Sequence, residues 1–281
     1  MNNKVAVVQM VSGADIHENL KSAQRLLAQA AEAGAGLVLL PENFAVLDGG
    51  PLAQFAEAQF DENALMQNMI GGCAKEYGIY IVAGTMPLAT RPAVDGHIEP
   101  VPAPKVRPAC LVFDNQGKQL ARYDKIHLFD VQVDDKQAQY SESLSFEPGD
   151  SPQCIATPFG TLGLSICYDL RFPELYRQLC DEGAEILTVP SAFTQVTGEA
   201  HWEVLLRARA IENQCYVLAA NQGGVHNESR ETFGHSMIID PWGRVLARVE
   251  KGEGIALADI DLKALYDLRE RMPVHEHRRI S

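Results

Sequence analysis

Three side chains in this 281-residue chain could together perform acyl-transfer chemistry, and each follows a run that reads as a strand. Cys167 closes the apolar run Leu162-Gly163-Leu164-Ser165-Ile166 and precedes Tyr168-Asp169-Leu170-Arg171-Phe172-Pro173-Glu174. Pro173 suits a first helical turn, where its missing N–H is one of the unpaired donors anyway. A thiol between a strand end and a helix start meets free backbone N–H groups and the positive end of the helix dipole, and both favour the thiolate. Glu42 follows Gly36-Leu37-Val38-Leu39-Leu40-Pro41. In an open α/β sheet, groups just past strand ends line the crevice where ligands bind. Lys125 follows a strand expected over Gln119 to Tyr123. Taken singly, each has an ordinary alternative: a small buried apolar cysteine, a solvated loop glutamate, a surface lysine.

Taken in order, the three segments carry more. With Leu40-Pro41-Glu42-Asn43, Tyr123-Asp124-Lys125-Ile126-His127 and Ile166-Cys167-Tyr168-Asp169-Leu170-Arg171-Phe172-Pro173-Glu174, the chain resembles the nitrilase (carbon–nitrogen hydrolase) superfamily from about Val5 to about Pro273. The resemblance implies a Glu–Lys–Cys triad of Glu42, Lys125 and Cys167 and a four-layer α-β-β-α sandwich. Pro190-Ser191-Ala192-Phe193, Thr197 to Glu212, and Gly234-His235-Ser236-Met237-Ile238-Ile239-Asp240-Pro241-Trp242-Gly243 are similar to the amidase branch. That branch includes the deaminated glutathione amidases and the ω-amidases, and the stretches Pro190–Phe193 and Glu203–Tyr216 look closer to the former. Tyr140-Ser141-Glu142-Ser143 resembles the segment that gives many relatives a second active-site glutamate; the alternative for Glu142 is a surface loop carboxylate. Asp124 departs from the pattern, since many relatives carry Arg before Lys-x-His.

The implied chemistry is amide hydrolysis. Cys167 attacks and forms a thioester, while Glu42 takes the thiol proton, hands it to the leaving amine and then activates water. The Lys125 ammonium and the Tyr168 N–H bracket the oxyanion, worth roughly 3–4 kcal/mol per donor in other acyl-transfer enzymes. Glu142 would hydrogen-bond Lys125 and orient the substrate. Arg171 and Arg207 are candidates for a substrate carboxylate, with ion pairs inside the fold as the alternative. No metal or organic cofactor is needed. The expected substrate is a small carboxylated amide, first deaminated glutathione, split to 2-oxoglutarate and Cys-Gly in metabolite repair, and next 2-oxoglutaramate or 2-oxosuccinamate. A non-catalytic scaffold would have no need for the three residues together. His275 and His277 lie two apart in a polar tail that reads as solvated rather than metal-binding. None of His127, His201 and His235 carries the local signature of a papain-like Cys–His pair.

The positioning elements follow the same logic. Strands are expected at Lys4–Met10, Tyr80–Gly84, Thr161–Ile166, Ile186–Val189, Tyr216–Ala220, Gly234–Ile239, Val245–Val249 and Ile255–Asp259. Helices are expected at Asp15–Ala33, from an Asp61 cap to Tyr77, at Pro173–Glu182 and at Glu199–Asn213. The alternation is a βαβ rhythm, hence an α/β fold, with no composition shift to divide residues 1–281 into domains. The Pro-rich Arg91–Lys105 insertion reads as an exposed loop beside the hairpin Ala109–Phe113 and Gln119–Tyr123. Helix Glu199–Asn213 is apolar over more than half its circumference. It is either deeply buried or carries a second face for a partner subunit, and the resemblance, which implies a homodimer, favours the latter. A net charge of −13 argues against nucleic acid or an anionic membrane as partner. No apolar stretch approaches the ~20 residues that span a bilayer. Met1-Asn2-Asn3-Lys4-Val5 leads into a strand without the apolar core of a signal peptide. With no C-x-x-C pair, the six cysteines read as reduced thiols of a cytoplasmic protein.

Overall fold

The computed structural model describes residues 3–93 and 96–280. Its centre is two stacked sheets. In the first, Lys4–Gln9, Leu37–Leu39 and Tyr80–Val82 run parallel, Gly254–Asp259 pairs antiparallel at one edge, and Arg107–Phe113, with Met86–Leu88 and Gln119–Asp124, extends the other. In the second, Gly160–Leu164, Ile186–Ser191 and Tyr216–Asn221 are the parallel core, flanked by Cys154–Thr157 on one side and by Met237–Ile239 and Val245–Arg248 on the other.

The period-2 geometry of the strands decides the layers. Val5, Val7, Leu37 and Leu39 belong to the core shared with the second sheet, whereas Ala6, Val8, Val38 and Leu40 pack beneath helices α1 (Ile16–Glu32) and α2 (Leu65–Tyr77). A strand covered on both faces needs no polar alternation, which is why these segments read as unbroken apolar runs. Helices α3 (Pro173–Asp181) and α4 (Gln195–Asn213) cover the outer face of the second sheet through Tyr176, Leu179, Trp202 and Leu206. The result is the α-β-β-α sandwich; α5 (Leu262–Arg271) follows the last edge strand.

Three local readings need correction. Asp61 does not cap α2: its carboxylate accepts from Asn63 in a preceding turn, and the first α2 N–H groups, of Met66 and Gln67, are capped by Glu57 at 2.5 and 3.2 Å. A loop carboxylate arriving from before the turn outcompeted the local one. The Arg91–Lys105 insertion is no plain loop, because Thr90–Pro92 pairs antiparallel with Ile98–Pro100 and sets Arg91 opposite Glu99 at 2.6 Å; Val94 and Asp95 lie outside the described residues. Helix α4 starts at Gln195, where Thr194 caps the N–H of Thr197. It is not deeply buried: Val204 is 69% exposed and Ile211 47%. Part of the N-terminal reading, Met1 and Asn2, also falls outside the described residues. Among those residues no helix is long and apolar enough to cross a membrane.

Candidate functional site

Each candidate residue sits where a strand ends at a constrained backbone. Glu42 follows the strand Leu37–Leu39, whose continuation at Leu40 bonds the Val82 carbonyl. Gly84 makes this crossing possible: it has φ +49°, and a Cβ there would lie 1.9 Å from the Pro41 carbonyl oxygen. Lys125 ends the strand Gln119–Asp124; its carbonyl accepts from Gly149, where a Cβ would meet the Asp124 oxygen at 2.2 Å.

Cys167 lies at the head of a short 3₁₀ turn, Cys167–Arg171, with φ +47°. A left-handed non-glycine residue costs about 1–3 kcal/mol and must be held there by its surroundings. Asp169 supplies the restraint. Fully buried, it accepts from the Ile166 N–H at 2.9 Å, the Tyr123 hydroxyl at 2.7 Å and the His127 N–H at 3.0 Å, with the His127 ring nitrogen at 2.7 Å. One carboxylate thus ties the cysteine turn to the strand that ends in Lys125. The expectation that an α-helix dipole points at the sulfur is corrected here, since the tight turn intervenes before α3 and its few peptides sum to little.

At the centre, the Lys125 ammonium donates to Glu42 Oε1 at 2.9 Å and to both Glu142 oxygens at 2.9 and 2.8 Å. The Phe129 N–H also donates to Glu142, at 2.8 Å. Lys125 has no exposed surface and Glu42 is 4% exposed. Burial disfavours the ammonium, but Glu142 and Glu42 outweigh it and raise the Lys125 pKa well above the ordinary lysine value. Burial first, and Glu42 as a like charge, push the Glu142 carboxyl up against the pull of Lys125.

The same balance corrects the expectation of a resting thiolate. Burial, then the Glu42 charge, raises the Cys167 pKa well above that of an ordinary thiol, while Lys125 and the Ala192 N–H oppose without prevailing. The resting sulfur is a thiol beside a carboxylate.

These groups meet at a cavity of about 190 Å³ lined in part by Glu42, Glu142, Cys167, Tyr168 and Arg171. Lys125 does not line it. Its contacts with Glu42 and Glu142, and its charge interaction with Cys167, place it beneath the floor. The Arg171 guanidinium lies 5.3 Å from the Phe193 ring centre and 5.9 Å from that of Tyr168. Arg207 is not in the cavity: its Nε donates to the Gly243 carbonyl and its Nη1 pairs with Glu203, the in-fold alternative. His127 stacks on Phe172, His201 contacts Arg171 and His235 pairs with Glu250, so none partners the sulfur. His275 is no solvated tail residue, because it is half-buried and held to the Asn213 carbonyl at 3.0 Å.

Asp124 belongs to a different set of charges, with Arg122 at 2.7 Å and Arg107 at 3.5 Å. Sequence reasoning missed Asp169 and Arg230. Asp169 stood inside the quoted cysteine motif, and its role needed knowledge of its burial. Arg230 follows Asn227-Glu228-Ser229 in what reads as a polar turn and gives no local signal, yet it lines the cavity.

The model of the carbon–nitrogen hydrolase family matches residues 4–270. The chain belongs to that family. It is an amidase, a hydrolase of carbon–nitrogen amide bonds. The deaminated glutathione amidase of Yersinia enterocolitica is 41% identical over 278 residues, 99% of this chain and 93% of the relative. The human enzyme of that name is 42% identical over 276 residues, 98% of this chain and 82% of its own length. Among solved structures, the Caenorhabditis elegans NitFhit protein superposes with a TM-score of 0.86 at 39% identity, over 99% of this chain and 65% of that one. A mutant amidase from Nesterenkonia sp. AN1, showing the result of Michael addition of acrylamide at its active-site cysteine, superposes with a TM-score of 0.74 at 26% identity, over 98% of both chains.

Proposed function

We propose that this amidase hydrolyses deaminated glutathione to 2-oxoglutarate and Cys-Gly through a thioester on Cys167. The observation that carries the reading is the convergence of Lys125, Glu42 and Glu142 at a cavity reached by the Cys167 thiol, in a chain 41–44% identical over nearly its whole length to deaminated glutathione amidases. The acrylamide-modified cysteine of the Nesterenkonia enzyme supports Cys167 as the nucleophile.

Because the resting sulfur is protonated, attack is coupled to proton transfer. Glu42 takes the thiol proton as the C–S bond forms, and the carbonyl becomes an oxyanion. All three Lys125 donors are engaged by carboxylate oxygens at rest. Neutralising Glu42 weakens one of those bonds and frees a donor when the oxyanion appears, beside the Tyr168 N–H. The C–N bond then breaks as Glu42 returns the proton to the amine. Glu42 next deprotonates a water that cleaves the thioester, releasing 2-oxoglutarate and the thiol. Glu142 holds Lys125 in register, and Arg171 receives a substrate carboxylate.

The test is a substrate panel of deaminated glutathione, 2-oxoglutaramate, 2-oxosuccinamate and simple nitriles, with Cys167→Ala, Glu42→Gln and Lys125→Met beside the parent. Deaminated glutathione should give the highest kcat/KM, and each variant should lose at least about 10³-fold while remaining folded by circular dichroism. Retained turnover in any variant removes that residue's role, and a preference for 2-oxoglutaramate transfers the reading to an ω-amidase.

The chain would act as one domain across residues 1–281 and as a homodimer in the cytoplasm. Support for the pairing is the exposed apolar strip of α4, Val204 and Ile211, beside the 56% exposed Trp242. Sedimentation should give twice the chain mass, reduced to the monomer by Val204→Glu. The charge of −13 supports a partner list without nucleic acid or anionic membrane.

A further inference from the structure

Arg230 lines the cavity with a guanidinium that no carboxylate among the described residues pairs. Its Nε is buried without a hydrogen-bond partner, and among the described residues it forms no ion pair. Its one close contact of note is the Tyr140 ring, 5.3 Å from the guanidinium carbon. A buried unpaired donor on a cation is costly unless a ligand completes it.

The aromatic side chains give this arginine a place relative to the sulfur. Tyr168, next to Cys167, packs on Phe129 at 5.0 Å between ring centres, and Phe129 packs on Tyr140 at 5.1 Å. Arg171 lies against Tyr168 at one end of this row, and Arg230 caps Tyr140 at the other. Three aromatic rings in edge-on or tilted contact therefore lie between the two guanidinium groups, with the nucleophile nearer the Arg171 end.

We propose that Arg230 is a specificity-determining residue that binds the carboxylate of the leaving fragment. The inference rests on the deaminated glutathione reading. That substrate carries a carboxylate on each side of the scissile amide, a nearer one on the acyl arm and a farther one at the end of the dipeptide arm. An extended tripeptide-sized ligand spans about 10 Å at roughly 3.3–3.6 Å per residue, and Arg171 and Arg230 line the same cavity. The nearer carboxylate matches Arg171, four residues from Cys167 in the same turn. The farther one matches Arg230, and a planar, always charged fork is suited to it. An amide whose leaving group is ammonia has nothing to offer Arg230.

The test reads a ratio. For the wild type, Arg230→Met and Arg230→Lys, kcat/KM is measured on deaminated glutathione, on its analogue with the glycine carboxylate converted to an amide, and on 2-oxoglutaramate. Arg230→Met should lower the preference for deaminated glutathione over 2-oxoglutaramate by about 10- to 100-fold, mainly through KM, and Arg230→Lys should restore part of it. The wild type alone should disfavour the amidated analogue by a similar factor, and Arg230→Met should no longer distinguish it from the acid. Equal losses on both substrates, or a wild type indifferent to amidation, would overturn the inference while leaving the substrate reading intact. A wild type inactive on deaminated glutathione would overturn both.

Discussion

Asp124 and Lys125 are consecutive residues at the end of one strand, yet each belongs to a different charge cluster. On the Asp124 side, Arg91, Arg107 and Arg122 meet Glu99, Asp124 and Glu147. The signs cancel. On the Lys125 side, one ammonium faces two carboxylates, and the Cys167 thiol stands beside them. The surplus is negative and can be relieved by taking up a proton, which is what the proposed deprotonation of the thiol by Glu42 requires. A balanced cluster holds strands together, whereas an unbalanced one is poised for chemistry at a cost in stability.

Removing the cation from the unbalanced cluster should have the largest effect. Lys125→Met should abolish turnover and cost about 3–5 kcal/mol at pH 7, because two carboxylates lose the one cation that pairs with them among the described residues. Glu142, already raised by burial, then binds its proton more tightly in the folded than in the unfolded state. Stability from such a group is present at low pH and lost as pH rises, so the melting-temperature deficit against the parent should shrink from pH 7 to pH 5. A deficit constant with pH would mean that the lysine serves only packing.

Glu142→Gln should come next. It can keep the Phe129 bond and removes one of the two negative charges, so kcat should drop by about 10- to 10³-fold with little loss of structure. The raised Glu142 pKa makes the parent lose stability as pH climbs through and above the ordinary glutamate range. The variant lacks that loss, and its melting temperature relative to the parent should improve between pH 4 and pH 7.

The balanced cluster should respond in the opposite manner. Arg107→Met should destabilise by about 2–4 kcal/mol yet leave kcat/KM within about threefold. Burial works against the Glu147 charge, but Arg91 and Arg107 outweigh it and hold the carboxyl below its usual range. That contribution is present above the unfolded-state value and lost as pH falls through the folded one. Arg107→Met should therefore lose less stability than the parent on acidification, as read by melting temperature against pH. Asp124→Asn should have the smallest effect on activity, a change in kcat/KM below about threefold, although Asp124 adjoins Lys125. A larger change would show that the two clusters communicate across one peptide bond.

Several parts of this protein were legible without coordinates. Short unbroken apolar runs announced strands covered on both faces, and Glu42, Lys125 and Cys167 stood out as candidates by following strand ends in a recognisable order. Propensity and periodicity act over a few residues, so the chain alone determined where the parallel core strands and helices α1 to α4 form and which residue types stand at their ends, whereas the edge strands Met86–Leu88 and Cys154–Thr157 and helix α5 were not legible in it. The α2 start, the Arg91–Lys105 hairpin and the true role of Arg207 depended on partners distant in sequence, and local pattern carries no record of those. The turn by itself predicts a thiolate, and the folded surroundings favour the thiol for the same reason. Burial and the charge of Glu42, 125 residues upstream, outweigh the turn in which Cys167 sits. Only tertiary structure placed Asp169 beneath the cysteine turn and left Arg230 unpaired in the cavity wall. The energy of a charge depends on which groups and how much water surround it, and only the folded chain decides that.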